Sequence, residues 1–140
     1  MERIEDFLLR VLGSVLGLAA IGCGGHTPAV EYGAPHATYH LSGTVTDAQT
    51  GAPIPGIHLV FQTFIVANSG QDGTFTVDGV DNPCTTGCML RATDVDGAQN
   101  GAYQDKSVPL TLTQTAPGDG HWYYGSFQQV GLAVRLDPKP

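Results

Sequence analysis

Tyr39-His40-Leu41-Ser42-Gly43-Thr44-Val45-Thr46-Asp47 changes polarity at every step. Tyr39, Leu41, Gly43 and Val45 fall on one face, and His40, Ser42, Thr44 and Thr46 on the other. A period of two is that of a strand with one face buried and one solvated. The run stops in Asp47-Ala48-Gln49-Thr50-Gly51-Ala52-Pro53-Ile54-Pro55-Gly56, a stretch dense in turn formers.

The same rhythm recurs along the chain. Ile57, Leu59 and Phe61 alternate with His58, Val60 and Gln62, predicting a second strand that runs on toward Val66. Asn68 to Gly73 reads as a loop with an Asp-Gly turn, and Thr74 to Val77 as a third strand. Asp78-Gly79 and Asp81-Asn82-Pro83 are expected to break the chain. Met89 to Thr93 predicts a fourth strand, Val108 to Leu112 a fifth, and Val130 to Leu136 a last one. No stretch after residue 36 shows a helical apolar period. The pattern predicts an all-β domain over residues 37–137, a β-sandwich of about seven strands. Its core should hold Leu41, Val45, Leu59, Phe61, Phe75, Leu90, Leu110, Leu132 and Val134.

A chain of 140 residues suits one such domain, not two. With 41% hydrophobic and 14% charged residues it is too apolar for a disordered chain. The formal charge of −7 and six scattered Lys and Arg argue against nucleic-acid binding.

Upstream, Phe7 to Ile21 is nearly all apolar. It falls short of the ~20 residues of a membrane-spanning helix but suits a signal segment. Ala20-Ile21-Gly22-Cys23 resembles the lipobox of bacterial lipoproteins, which are cut before a lipid-modified cysteine. The alternative is a buried N-terminal helix, disfavoured by Gly13, Gly17 and Gly22 and by the lack of a polar face. The expected organisation is a signal helix over 1–22, lipidation on Cys23 and a flexible tether over 23–36. Gly24 stands where aspartate marks inner-membrane retention in many lipoproteins, so the resemblance implies the outer membrane.

Ser42 to Ile57, with Asp72-Gly73-Thr74-Phe75, resembles the carboxypeptidase regulatory-like domain, whose hairpin reads G-x-V-x-D, a turn and P-I-x-G. That resemblance implies an Ig-like or transthyretin-like sandwich. Glu31 to Tyr39, lying after the lipobox, and Asp94 to Tyr103 resemble the radical SAM-associated lipoproteins. Membership would imply an anchored envelope protein that is a partner or substrate of a radical SAM enzyme, and it brings no known catalytic activity with it.

Candidate chemistry is sparse. Cys84 and Cys88 are close enough for a disulfide; free thiols or zinc are the alternatives, and a zinc site wants about four ligands. Such a pair would leave Cys23 as the odd cysteine, consumed by lipid. Asp94 to Asp105 departs from the EF-hand pattern at Ala98 and Gln99, so turns are expected there and no metal. His121-Trp122-Tyr123-Tyr124 could line a ligand-contact loop for glycan or peptide, or start a strand with buried rings. There is no nucleophile elbow and no phosphate loop, and His26, His36, His40, His58 and His121 each stand alone. The sequence therefore predicts a non-catalytic lipoprotein without cofactor, with a glycan- or peptide-binding module as rival and a small hydrolase as a distant third.

Overall fold

The computed structural model describes residues 33–140. The predicted signal helix, Cys23 and residues 24–32 of the tether lie outside the described residues. His36, expected as the last tether residue, is the first residue of a strand.

The described chain is all β. Its strands are β1 (His36–Asp47), β2 (Ile57–Phe61), β3 (Ile65–Asn68), β4 (Thr74–Asp81), β5 (Met89–Asp94), β6 (Lys106–Pro109), β7 (Thr113–Pro117) and β8 (Tyr123–Leu136). One sheet has the order β4-β1-β8-β7 and the other β3-β2-β5-β6. Neighbours are antiparallel except β1 and β8, which run parallel from His36 opposite Tyr123 to Asp47 opposite Leu136. The sandwich therefore has two distinct ends. At the entry end β1 and β8 begin, β4 finishes and β5 begins. At the far end β1 and β8 finish together.

The alternation that marked β1 is real. Ala37, Tyr39, Leu41, Val45 and Asp47 point inward and are buried. They meet Leu59 and Phe61 of β2, Phe75 and Val77 of β4, Leu90 of β5, and Leu132, Val134 and Leu136 of β8. Burying each such side chain stabilises the fold by ~1.5–3 kcal/mol. Of the nine core residues predicted, only Leu110 is half-buried, in the link from β6 to β7.

Several expectations need correction. The second strand does not run on to Val66. It turns at Gln62, whose φ of 55° is left-handed, and returns as β3. The turn is tied by Asp81, whose Oδ2 accepts the N–H groups of Thr63 (3.1 Å) and Phe64 (3.3 Å). Asp78-Gly79 does not break the chain but lies inside β4. The fifth strand ends at Pro109, and β7 follows as an unpredicted eighth strand. β7 is an edge strand of Thr, Gln and Ala with no buried residue, so it leaves no apolar period to read.

Val130 was expected to alternate inward with Leu132, yet it is exposed. β8 carries an extra residue here: Leu41 faces Gln129, but Gly43, two residues on, faces Leu132. Such a bulge shifts the inward phase by one residue. Gly131 supplies its left-handed backbone (φ 69°). Across the bulge, a Cβ on Gly43 would stand 2.1 Å from the Leu132 carbonyl oxygen, so only glycine fits.

At the far end Asp47 does two jobs. Its Oδ1 accepts the N–H groups of Gln49 (2.7 Å) and Thr50 (3.0 Å), and its Oδ2 accepts the Tyr103 hydroxyl (3.0 Å). The Tyr103 N–H donates in turn to Asp94 Oδ2 (2.8 Å). The N–H groups of Thr50 and then Gln49 hold the Asp47 carboxyl below the usual carboxylate range, against the opposing effect of burial. Burial pushes the Tyr103 phenol up, with the bond to Asp47 adding to it.

A carboxyl group whose folded pKa lies below its unfolded value stabilises the fold fully above the unfolded value. That contribution disappears as pH falls through the carboxylate range toward the folded value. Replacing Asp47 with Asn is therefore expected to lower the urea midpoint at about pH 6 and to make its further fall toward about pH 3 shallower than in the parent. An unchanged fall would show that Asp47 is not among the groups whose protonation drives acid unfolding.

Candidate functional site

The entry end gathers most of the residues singled out by chemistry. The centre of this end is Tyr39. Its ring lies edge-on to Phe61 (centroids 4.8 Å apart) and stacked at 6.0 Å with Phe127. Its hydroxyl donates to the Asn82 carbonyl (2.9 Å) and accepts the Cys84 N–H (2.7 Å). Burial pushes this phenol up from its ordinary value. One buried side chain thus fixes the entry to the segment that carries both cysteines.

That segment is closed by a disulfide between Cys84 and Cys88, with α-carbons 5.9 Å apart. The bridge encloses only three residues, so its entropic contribution is small. Its effect is local. It shapes a loop that is also held by the Leu110 N–H donating to the Cys88 carbonyl (2.9 Å).

The loop before β8 is built around Asp119. Its Oδ1 accepts the N–H groups of His121 (2.8 Å) and Tyr123 (3.1 Å), the first of which does most to lower the carboxyl's pKa. The structure divides the four residues predicted as a contact loop. The His121 side chain is exposed. Trp122 lies against Gly33, where a Cβ would approach its ring to 3.0 Å, and its carbonyl accepts the His36 N–H (2.8 Å). Tyr123 packs against the His36 ring at 5.4 Å and bonds Ser126 Oγ (2.8 Å), which with Thr38 lowers its phenol pKa. Trp122 and Tyr123 therefore pin the start of β1.

Tyr124 is different. A second bulge in β8 places it outward, because His36 faces Tyr123 while Thr38 faces Ser126. Gly125 takes the bulge conformation with φ 108°. Tyr124 stands between two hollows. One is a cleft of about 330 Å³ between the disulfide loop and a wall of Leu110, Leu112, Tyr124 and Phe127. The other, about 420 Å³ and more open, lies over Gly118, Gly120, His121 and Tyr123. The cleft lining carries no charged side chain. It offers apolar area, threonine hydroxyls at Thr85 and Thr86, and backbone amides, a chemistry for uncharged ligands.

Two histidines expected to stand alone are paired. His40 Nδ1 lies 2.6 Å from Asp78 Oδ1, across the β1–β4 register, and His58 Nδ1 lies 3.0 Å from Asn68 Oδ1, across β2–β3. Pairing across strands depends on register, which a single sequence does not display. Among the described residues no cluster of three His, Cys, Asp or Glu could hold a metal. In the stretch from Asp94 to Asp105, Asp94 accepts the Asp96 and Tyr103 N–H groups and Asp96 accepts the Asn100 amide.

No family model matches the chain, and no curated protein matches it. A solved structure from Bacteroides fragilis NCTC 9343, described as a membrane-associated protein of unknown function, aligns with a TM-score of 0.44 at 19% identity. The alignment covers 74% of this chain and 29% of that one, so this chain spans less than a third of that protein's length. At that similarity the likeness bears on neither topology nor function.

Tyr39→Phe should keep the ring packing and remove the hydroxyl, leaving the Cys84 N–H without its partner. Stability is expected to fall by ~1–3 kcal/mol in urea unfolding. Reduction of the Cys84–Cys88 bridge by dithiothreitol should accelerate. Parent-like stability and reduction rate together would show that the hydroxyl does not hold this loop.

Proposed function

We propose that this chain is a non-catalytic lipoprotein of the bacterial cell envelope, anchored through lipid on Cys23, with its β-sandwich as an interaction module. The observation that carries the reading is the Cys84–Cys88 disulfide. Structural disulfides persist in oxidising compartments outside the cytoplasm. The bridge also uses two of the three cysteines and leaves Cys23, at the end of an apolar segment, as the unpaired one. Lipidation accounts for that remainder. The outer membrane is the proposed address, on the strength of Gly24 after the cysteine.

Mass spectrometry of the protein from its native membrane tests this directly. The expected mature chain begins at a diacylated or triacylated Cys23, and Cys23→Ser should leave the membrane fraction. A chain that retains Met1 and carries no lipid would overturn the reading. A partnership with a radical SAM enzyme rests on the resemblance of Glu31 to Tyr39 and Asp94 to Tyr103. As a substrate of such an enzyme the protein should carry an added or lost mass on one side chain in the same spectra.

A second reading, favoured by the uncharged cleft beside Tyr124, is a module that binds glycan or peptide. Half-exposed aromatic rings beside apolar walls are where binding energy concentrates. Titration with neutral N-acetylglucosamine oligosaccharides should shift the amide resonances of Thr85 to Cys88. Tyr124→Ala should weaken that binding about tenfold, equivalent to ~1.4 kcal/mol, with unfolding unchanged. Unaltered affinity in the variant would remove the cleft from the function.

A further inference from the structure

The large apolar side chains left in solvent are not scattered. Among the described residues five of the eight lie toward the entry end: Phe64, Val80, Met89, Trp122 and Tyr124. Phe64, in the β2–β3 turn, is 79% exposed, and Trp122 and Tyr124 are 43% and 47% exposed. They come from both sheets. Phe64 and Met89 belong to the sheet of β2 and β5, and Val80, Trp122 and Tyr124 to that of β4 and β8. The strand registers alone bring them to one end.

Charge is sparse in the loops of this end, while Asp78 and Arg91 stand two residues along the strands from Val80 and Met89. The four cationic side chains among the described residues are Arg91, Lys106, Arg135 and Lys139, and none sits in an entry-end loop. The carboxylates of those loops are Asp81 and Asp119, and both accept backbone N–H groups. The acidic turns of Asp47, Asp72, Asp94 and Asp96 lie at the far end.

We propose that the entry end is a membrane-resting surface, with Trp122 and Tyr124 at headgroup level on a zwitterionic phospholipid bilayer. The inference rests on the proposed anchor at Cys23. Trp and Tyr favour the membrane interface because each ring presents an apolar body and a polar tip. An aromatic, charge-poor end matches that environment, and its two carboxylates argue against a strongly anionic surface.

The length of chain outside the described residues supplies the geometry. Nine residues, 24–32, separate Cys23 from Gly33, which lies against Trp122. Fully extended, that leash reaches about 35 Å at 3.3–3.6 Å per residue. The eleven steps from His36 to Asp47 make β1 about 36 Å long at ~3.3 Å per residue. Placing the far end on the membrane would draw the leash out to nearly its full length, whereas the entry end reaches the surface with the leash slack. The entry end is therefore the one that a slack leash keeps within reach of lipid.

Trp122 is the chain's single tryptophan, so its emission reports this end alone. The lipoprotein is incorporated in phosphatidylcholine vesicles containing lipids brominated near the top of the acyl chains. A parallel sample uses the chain starting at Cys23, coupled through that one free thiol to a maleimide phospholipid. Gly33–Pro140 is a compact unit with its own core, so the coupled sample keeps the same domain. Trp122 is expected to shift to the blue and lose most of its emission to the brominated lipid. A Trp122→Phe, Ala98→Trp variant, reporting from an exposed far-end turn, should stay unquenched. Phe64→Ser with Met89→Ser should relieve the quenching while the protein still floats with the vesicles.

A vesicle-bound chain whose Trp122 emits as in solution overturns the proposal. So does equal quenching at both ends. Shielding of Trp122 that grows with protein concentration in the absence of vesicles, without bromolipid quenching, assigns this end to a second copy of the chain and overturns it as well. If the native protein carries no lipid, the anchor reading fails by itself, and the maleimide-coupled sample still decides whether this end prefers lipid.

Discussion

Tyr39 stands near the entry end of the pairing between β1 and its neighbours, with its ring against side chains from both sheets and its hydroxyl bonded on two sides. Phe61 and Phe127 give the ring its packing, and Asn82 and Cys84 satisfy the oxygen. A buried hydroxyl is costly unless it is paired, so these contacts are mutually required. The ring ties the two layers together. The oxygen sets where the chain leaves β4 and therefore where the disulfide loop stands against Tyr124 and Phe127. Packing in the core and the shape of the cleft are thus controlled from one side chain.

The two ends of the sandwich differ in how they satisfy their loops. At the far end, aspartates accept backbone N–H groups in the turns after β1, β3 and β5. Those turns are polar, local and closed on themselves. At the entry end Asp81 and Asp119 accept backbone N–H groups as well, and to them are added rings, a disulfide and the first residues of β1. Loops built that way leave apolar surface uncovered. The polarity of the molecule follows from this difference in loop chemistry, since the strands that join the two ends are ordinary amphipathic ones.

What could be read in the sequence follows from what is local. Strands with one buried face show themselves by alternation, so β1, β2, most of β5 and the second half of β8 are visible, and so are nearly all of the core residues they carry. β7 is invisible because an edge strand of Thr and Gln buries nothing. The phase of Val130 misleads because a bulge adds one residue and swaps the faces on either side of it. The four aromatic positions before and within β8 stand out as composition, but their roles divide only when β1 is seen to pack against two of them. The cleft is assembled from three segments distant in sequence, Cys84 to Cys88, Leu110 with Leu112, and Tyr124 with Phe127, and nothing local announces it. The same holds for the pairing of His40 with Asp78, which exists only in the register of β1 and β4.

The parallel pairing of β1 and β8 has a mechanical consequence. The first residue of β1 and the last residue of β8 lie at opposite ends of neighbouring strands. A pull applied between them drags the two strands past each other lengthwise. The hydrogen bonds of that ladder are then loaded together in shear, instead of peeling one at a time as in a hairpin pulled at its open end. Tension between these strand ends meets the longest ladder in the molecule along its strongest direction, so the sandwich is built to transmit force along its length without opening.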